Sequence, residues 1–310
     1  MKHVLLACAL ALCACDAPHG LDSGAAQSPL APANLPSFFD CLRENSVAVV
    51  AAHRGGPAPG YAENAIATFE HTLSQGPALI EVDVSRTRDG ALVLMHDDTI
   101  ERTTNGEGDL RDLTLAEVQA LNLRDENGDV LDVHPPSLRE ALDWARGRTL
   151  LELDVKRSVS YEDVVREVRE ADAMGRVLFV TYSVDGASRM ARVAPDAMIY
   201  TTIESAADLD TLSRRGVDLS RIVAWTGTDE PSAALNVALA QRGVEVSFGT
   251  LGGRDSWDAR FQRDGHDQYA AFAETGLQVI ATDEPAAALR ALDASDGVDG
   301  FAALQCARAS

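Results

Sequence analysis

Positive charge is scarce in this chain: Lys plus Arg number 27 against 48 Asp plus Glu, a formal net charge of -21. That sign excludes the basic footprint by which a protein grips a nucleic-acid backbone, so no nucleic acid is expected as partner. It also repels anions at long range, so a phosphate ligand would need a local cation, either a bound metal or inward-pointing Arg and Lys. Long apolar runs are lacking too. Val4 to Cys13, preceded by Lys2, has the length of a secretory core and is too short to span a bilayer. Residues 1–15 are therefore expected to be an export signal, and the chain to be periplasmic or membrane-anchored by lipid in a bacterium. Leu12-Cys13-Ala14-Cys15 has the form of a lipobox, which would put a lipid anchor on Cys15, with Asp16 a hint of inner-membrane retention. Ordinary cleavage after a small residue uses much the same signal. Cysteine is the third shortage, since beyond the leader only Cys41 and Cys306 remain. An oxidising compartment permits a bridge between them if the chain ends meet, and two free thiols are the alternative.

Residues 16–36 hold Pro18, Pro29, Pro32 and Pro36 among small residues and are expected to form a flexible linker. One domain over residues 37–310 then remains, close to the roughly 250 residues of a (β/α)₈ barrel. Eight short apolar runs read as strands: Ala48 to Ala52, Leu79 to Val84, Thr149 to Val155, Val177 to Thr181, Met198 to Thr202, Ile222 to Trp225, Glu245 to Phe248 and Gln278 to Ala281. Between them lie amphipathic segments such as Tyr161 to Ala173, Asp185 to Val193, Ala206 to Arg215, Ser232 to Arg242 and Gln268 to Glu274, several ended by glycine. An eightfold strand and helix alternation predicts an α/β fold, the (β/α)₈ TIM barrel. The interval 85–148 is longer than one crossover needs, so it is expected to be an insertion after the second strand.

Chemistry gathers at the carboxyl ends of the expected strands, the face on which barrel enzymes work. The first strand runs into His53-Arg54-Gly55-Gly56: a proton carrier, a forked phosphate donor and backbone able to approach a ligand. In Leu79-Ile80-Glu81-Val82-Asp83-Val84, a period of two puts Glu81 and Asp83 on one side, pointing inward. Unpaired buried carboxylates cost several kcal/mol each, so the pair requires a cation. Hard oxygen ligands favour Mg²⁺ or Ca²⁺, and pairing with Arg or Lys from neighbouring elements is the alternative. The next strand places Glu152, Asp154 and Lys156 on one face. Asp154 is the preferred third metal ligand, with Glu152 deeper, either in support or as the ligand itself, and Lys156 can contact a phosphate oxygen. His96 follows the apolar run Leu92-Val93-Leu94-Met95 and is the candidate second proton carrier, since diester cleavage needs a base and an acid.

Taken together, His53-Arg54-Gly55, Glu63-Asn64, Glu81-Val82-Asp83, Thr87-Arg88-Asp89-Gly90, His96-Asp97, Arg102-Thr103-Thr104-Asn105-Gly106, Pro136-Ser137-Leu138, Asp154-Val155-Lys156 and Thr282-Asp283 resemble the glycerophosphodiester phosphodiesterase family in type and order. The resemblance implies His53 and His96 as general acid and base, and Glu81, Asp83 and an acid on the third strand as metal ligands. It implies Arg54 and Lys156 as phosphate binders, and Glu63, with Asn64, in the hydrogen-bonded surround of His53 and Arg54. Three departures stand out. Ala65 replaces a common Thr, Asp154 a common Glu, and Val246-Ser247-Phe248-Gly249-Thr250 the family's Trp-Thr-Val-Asn, a loss that Trp225 could make good.

The expected activity is metal-dependent hydrolysis of a small glycerophosphodiester to an alcohol and glycerol 3-phosphate, with no obligate protein partner. A phosphodiesterase acting on lysophospholipids or sphingolipids, and a lipoprotein that binds a phosphorylated ligand without turnover, are the other readings.

Overall fold

A computed structural model describes residues 30–296 and 302–310. The eight apolar runs become parallel strands β1 (Val49–Ala52), β2 (Ala78–Arg86), β4 (Leu151–Val155), β5 (Val177–Thr181), β6 (Met198–Thr202), β7 (Ile222–Trp225), β8 (Glu245–Gly249) and β9 (Val279–Thr282), with a short β3 (Leu92–Leu94) after the second. Pairing runs β1-β9-β8-β7-β6-β5-β4-β2 and closes through β1 and β2. The expected (β/α)₈ barrel is therefore present. The helices are α1 (Leu35–Glu44), α2 (Ile66–Gln75), α3 (Leu115–Gln119), α4 (Leu138–Ala145), α5 (Tyr161–Glu170), α6 (Val184–Val193), α7 (Ala206–Arg214), α8 (Ala233–Ala240), α9 (Trp257–Asp264), α10 (Tyr269–Ala273), α11 (Pro285–Asp296) and α12 (Ala302–Ala309).

The insertion is real and has its own framework. β3 pairs antiparallel with the end of β2, Leu94 opposite Val84, and Val93, Met95, Ile100, Leu110 and Val118 pack beneath it as a satellite core.

Alternation along the strands divides the molecule into two apolar layers. Ile80, Val82 and Val84 face outward and pack with Leu138, Ala141 and Leu142 of α4, whereas Leu79 faces the barrel interior. There Val49, Leu79, Leu178, Met198 and Val223 meet Phe38, Phe39 and Leu42 of α1 and Ala303, Leu304 and Ala307 of α12. Each such side chain contributes about 1.5–3 kcal/mol on burial. Helices α1 and α12 thus plug the amino-terminal mouth. A Cys41–Cys306 disulfide joins them, with the two Cα atoms 5.5 Å apart, so the bridge is formed rather than two free thiols.

The linker expected over residues 16–36 does not hold at its carboxyl-terminal end, where residues 30–36 are part of the domain. Leu30 is buried and donates its N–H to the Arg148 carbonyl at 3.0 Å, and the Asn34 side chain accepts from Ser37 N to cap α1. Proline that looked like tether composition instead sits in the first turn of that helix, where its missing N–H costs nothing. The domain therefore begins before residue 37. The export signal, Cys15 and residues 16–29 lie outside the described residues.

Candidate active site

Residues Glu81 and Asp83 of β2 lie level with Glu152 and Asp154 of β4, Glu81 opposite Glu152 and Asp83 opposite Asp154. One oxygen from each of Glu81, Asp83 and Asp154 falls within 4.8 Å of the others, and Glu152 is not part of that group. Three hard oxygens at this spacing suit Mg²⁺ or Ca²⁺. The cost of assembling them shows at Glu81: burial pushes its carboxyl well above the usual range, and the charges on Asp83 and Asp154 push it further. A cation among them removes that repulsion, so the residues fit a divalent ion.

The cations of this chain already lean on the same group. Lys156 Nζ lies 2.6 Å from both Asp83 Oδ1 and Asp154 Oδ2, while Arg54 Nε lies 3.6 Å from Asp83 Oδ2. Burial opposes the Asp83 charge, yet Lys156 and Arg54 outweigh it and hold the carboxyl below its ordinary value. Lys156 is the only lysine after Lys2. Asn64 steadies Asp83 from the other side, donating Nδ2–H to Oδ2 at 2.7 Å and accepting the Asp83 N–H at 2.9 Å. It does so at φ 57°, a left-handed conformation that Asn tolerates better than most residues. Tyr182 donates its hydroxyl to Asp154.

Arg54 also has a positive φ, 51°, which turns its N–H onto Glu81 Oε2 at 2.7 Å. The next residue must be glycine: at φ 87°, a Cβ on Gly55 would stand 2.3 Å from the Phe69 ring. This tight turn ends β1 and presents His53. Its Nδ1 lies 2.7 Å from Asp283 Oδ1, and Asp283 Oδ2 accepts from Gly252 N at 3.1 Å. Burial opposes the Asp283 charge, and His53 more than offsets it. Behind it, buried Asp258 accepts the Asp283 N–H at 2.7 Å, the Thr282 hydroxyl at 2.9 Å and the Tyr269 hydroxyl at 2.8 Å.

His96 is positioned by β3, since Met95 N donates to the Asp83 carbonyl at 3.0 Å. Its Nδ1 lies 2.6 Å from Asp97 Oδ1. Asp97 also receives Arg102 Nε; although burial works against its charge, Arg102 and His96 hold its carboxyl down to about 2. Arg102 then grips Glu63 with two bonds of 2.7 and 2.8 Å, and Glu63 receives Arg54 at 3.2 and 3.3 Å. Each histidine thus has Nδ1 held by a carboxylate, the contact that sets an imidazole's tautomer and orientation.

Two cavities open beside this cluster, and His53 lines both. The outer one, about 680 Å³, is bounded by Arg54, Glu63, Gln75, Glu126 and Gln262. The inner one, about 180 Å³, runs past Glu81 and Asp154 to Glu152, Tyr200 and Trp225. Trp225 lines this inner cavity and packs on Gly249: a Cβ there would stand 2.2 Å from its ring, so Gly249 is what admits the indole.

The structure therefore brings Glu81, Asp83, Asp154, Lys156, Arg54 and Asn64 into one cluster. Glu152 lies beside it, buried to 2 % exposure, with its carboxyl pushed up to about 8 by burial. One expectation changes. Glu63 bonds Arg54 and Arg102, and the partner of His53 is Asp283, 230 residues further along the chain. Asp283, Asp97 and Arg102 sat in recognisable motifs, but the chain carries no local signal of their pairings. Asp258 and Tyr182 had no signal in the sequence at all.

The profile of the glycerophosphoryl diester phosphodiesterase family matches residues 53–285. A glycerophosphodiester phosphodiesterase of Caldanaerobacter subterraneus is 32% identical over 162 residues, 49% of this chain and 66% of its own length. This chain thus spans just under two thirds of that relative, and 62% of a second, from Bacillus subtilis. Among solved structures, a glycerophosphoryl diester phosphodiesterase from Parabacteroides distasonis superposes with a TM-score of 0.78 at 29% identity, covering 86% of this chain and 94% of that one. An Oleispira antarctica phosphodiesterase, solved with its product sn-glycerol-3-phosphate, shares the fold with a TM-score of 0.61 at 20% identity, covering 81% and 99%. By the profile match over most of its length, this chain belongs to the glycerophosphoryl diester phosphodiesterase family.

Proposed function

We propose that the protein hydrolyses glycerophosphodiesters to an alcohol and glycerol 3-phosphate, with a divalent ion held by Glu81, Asp83 and Asp154 and with His53 and His96 exchanging protons at Nε2. The observation that carries this reading is the meeting of three carboxylate oxygens within 4.8 Å beside a histidine whose Nδ1 is fixed by Asp283. Mg²⁺ or Ca²⁺, when bound, supplies positive charge against a phosphate that the acidic surface would otherwise repel. Arg54 and Lys156 add donors at the same edge, Arg54 as a fork and Lys156 as a point charge. Asp283 and Asp97 keep their imidazoles in one tautomer, so each Nε2 can take a proton from an attacking oxygen or return one to the leaving alcohol. Two cavities meeting at His53 match the two arms of a diester.

Export and lipid anchoring at Cys15 extend this reading to an enzyme working outside the cytoplasm, on the grounds of the leader alone. His53→Ala and His96→Ala, assayed with glycerophosphocholine, should each lose at least about 10²-fold in kcat, the contribution of a positioned acid or base. Release of glycerol 3-phosphate is expected. Near wild-type turnover in both variants, or release of glycerol with phosphocholine, would refute the assignment.

A further inference from the structure

Arg102 has no part in the proton and phosphate chemistry just proposed, yet it touches both halves of the machinery. It lies in the insertion, its side chain half exposed, and all three guanidinium nitrogens are engaged: Nε donates to Asp97 Oδ2, Nη1 to Glu63 Oε2 at 2.7 Å and Nη2 to Glu63 Oε1 at 2.8 Å. Asp97 is the carboxylate that holds Nδ1 of His96, and Glu63 is the carboxylate that receives Nη1 of Arg54. One planar fork therefore joins the partner of a proton carrier to the partner of a phosphate donor.

Strand register does not set the spacing of these two acids. Asp97 follows β3 in the insertion, whereas Glu63 lies in the connection between β1 and α2. Their side chains are 26 % and 13 % exposed, and each receives Arg102. Arg54 depends on Glu63 in turn, because among the described residues its Nε has no hydrogen-bond partner while Glu63 holds its Nη1. The bonds from Arg102 to Glu63 are the shorter ones, 2.7 and 2.8 Å against 3.2 and 3.3 Å from Arg54, so Arg102 fixes where that carboxylate stands. Without Arg102, Glu63 would be left with Arg54 as its cation and would draw that guanidinium away from a phosphate. Other ties keep the insertion in place: Gly60 N donates to Asp125 at 2.8 Å, and Leu123 packs with Ala62 and Ala65. Loss of Arg102 should thus release two side chains without detaching the insertion.

We propose that Arg102 is a positioning residue for both tasks: through Asp97 it orients the imidazole of His96, and through Glu63 it holds Arg54 where a phosphate oxygen can meet it. The proposal rests on the phosphodiesterase reading for the roles of His96 and Arg54.

The test is a pair of double-mutant cycles on the intact protein with saturating Mg²⁺, read as kcat on glycerophosphocholine and as the dissociation constant of inorganic phosphate by calorimetry. Arg102→Met is expected to lower kcat and to weaken phosphate binding, each by at least about tenfold. In the Asp97→Asn background its further effect on kcat should be under about threefold, and in the Glu63→Gln background its further effect on phosphate affinity should be under about threefold, because residues that act through one another are not additive. Arg102→Lys should stay at least about fivefold impaired in one of the two readouts, since a point charge cannot hold both acids. Near wild-type values in Arg102→Met, additive losses in either cycle, or recovery of both readouts in Arg102→Lys would each overturn the proposal. Should Arg102→Met not fold, the single variants decide: Asp97→Asn should lower kcat by at least about tenfold with phosphate affinity held within about threefold, Glu63→Gln should weaken phosphate binding by at least about tenfold, and any other pattern overturns it. Failure of the parent reading looks different: the wild type then turns over no glycerophosphodiester, and the phosphate cycle alone judges Arg102.

Discussion

The Asp283 carboxylate, at the end of β9, lies 2.7 Å from Nδ1 of His53, at the end of β1, and these two strands are direct neighbours in the barrel. The pair is rigid from behind, since Asp258 holds the Asp283 backbone and Gly252 N holds its second oxygen. Asp283 is thus a positioning residue for the imidazole. Asp283→Ala is expected to lower kcat by about 10²-fold, within the span of a general acid or base that has lost its orientation, while KM moves by less than about threefold. Steady-state kinetics on both parameters decides. A loss confined to KM would show that Asp283 serves binding instead.

Closure of the barrel floor is covalent as well as apolar. The Cys41–Cys306 bridge closes a loop of 265 residues between two helices that cover the same mouth. In the chain-entropy view such a long loop stabilises by about 5–6 kcal/mol. Cys41→Ser with Cys306→Ser should lower the unfolding free energy by that amount in urea, and turnover of the folded variant should stay within about twofold, because the bridge lies at the end of the barrel opposite the site. An unchanged midpoint would contradict the assigned bridge.

A pH dependence of stability follows from Glu245, the first residue of β8. Burial pushes its carboxyl up to about 7, and pairing with Arg43 at 2.8 Å offsets only part of that rise. An unfolded Glu titrates near about 4.3, so between that value and 7 the folded chain holds more protons than the unfolded one. Stability from this group is therefore complete below about pH 4 and is lost as pH rises through 7, by about 3 kcal/mol. Glu245→Gln should flatten the fall of the unfolding free energy between about pH 5 and pH 8 relative to wild type. Parallel curves for the two proteins would contradict it.

The strands were legible because each is a buried run of β-branched and apolar residues bounded by helix stops, and eight of them fit few architectures other than a barrel. The meeting of the acids was legible for the same local reason: a period of two in β2 and β4 fixes which acids face inward, and register then sets Asp83 beside Asp154. Depth was legible too, since Glu152 does lie outside the group formed by Glu81, Asp83 and Asp154. Contacts between distant segments were not. Nothing near His53 announces Asp283, and Glu63 could be placed near Arg54 but not onto Arg102. The start of the domain was misjudged because Leu30 and Pro32 are ordinary linker residues until an apolar floor exists to bury them.

The central claim is that Glu81, Asp83 and Asp154 hold a divalent ion on which turnover depends. Its most direct test is glycerophosphodiester turnover by chelator-treated protein, with and without added Mg²⁺ or Ca²⁺, alongside metal stoichiometry of wild type and Asp83→Asn. The account predicts a loss of at least about 10²-fold on chelation, recovery on adding either or one of the ions, one ion bound per wild-type chain and none retained by the variant. Full turnover by protein shown to be free of divalent ions would contradict it.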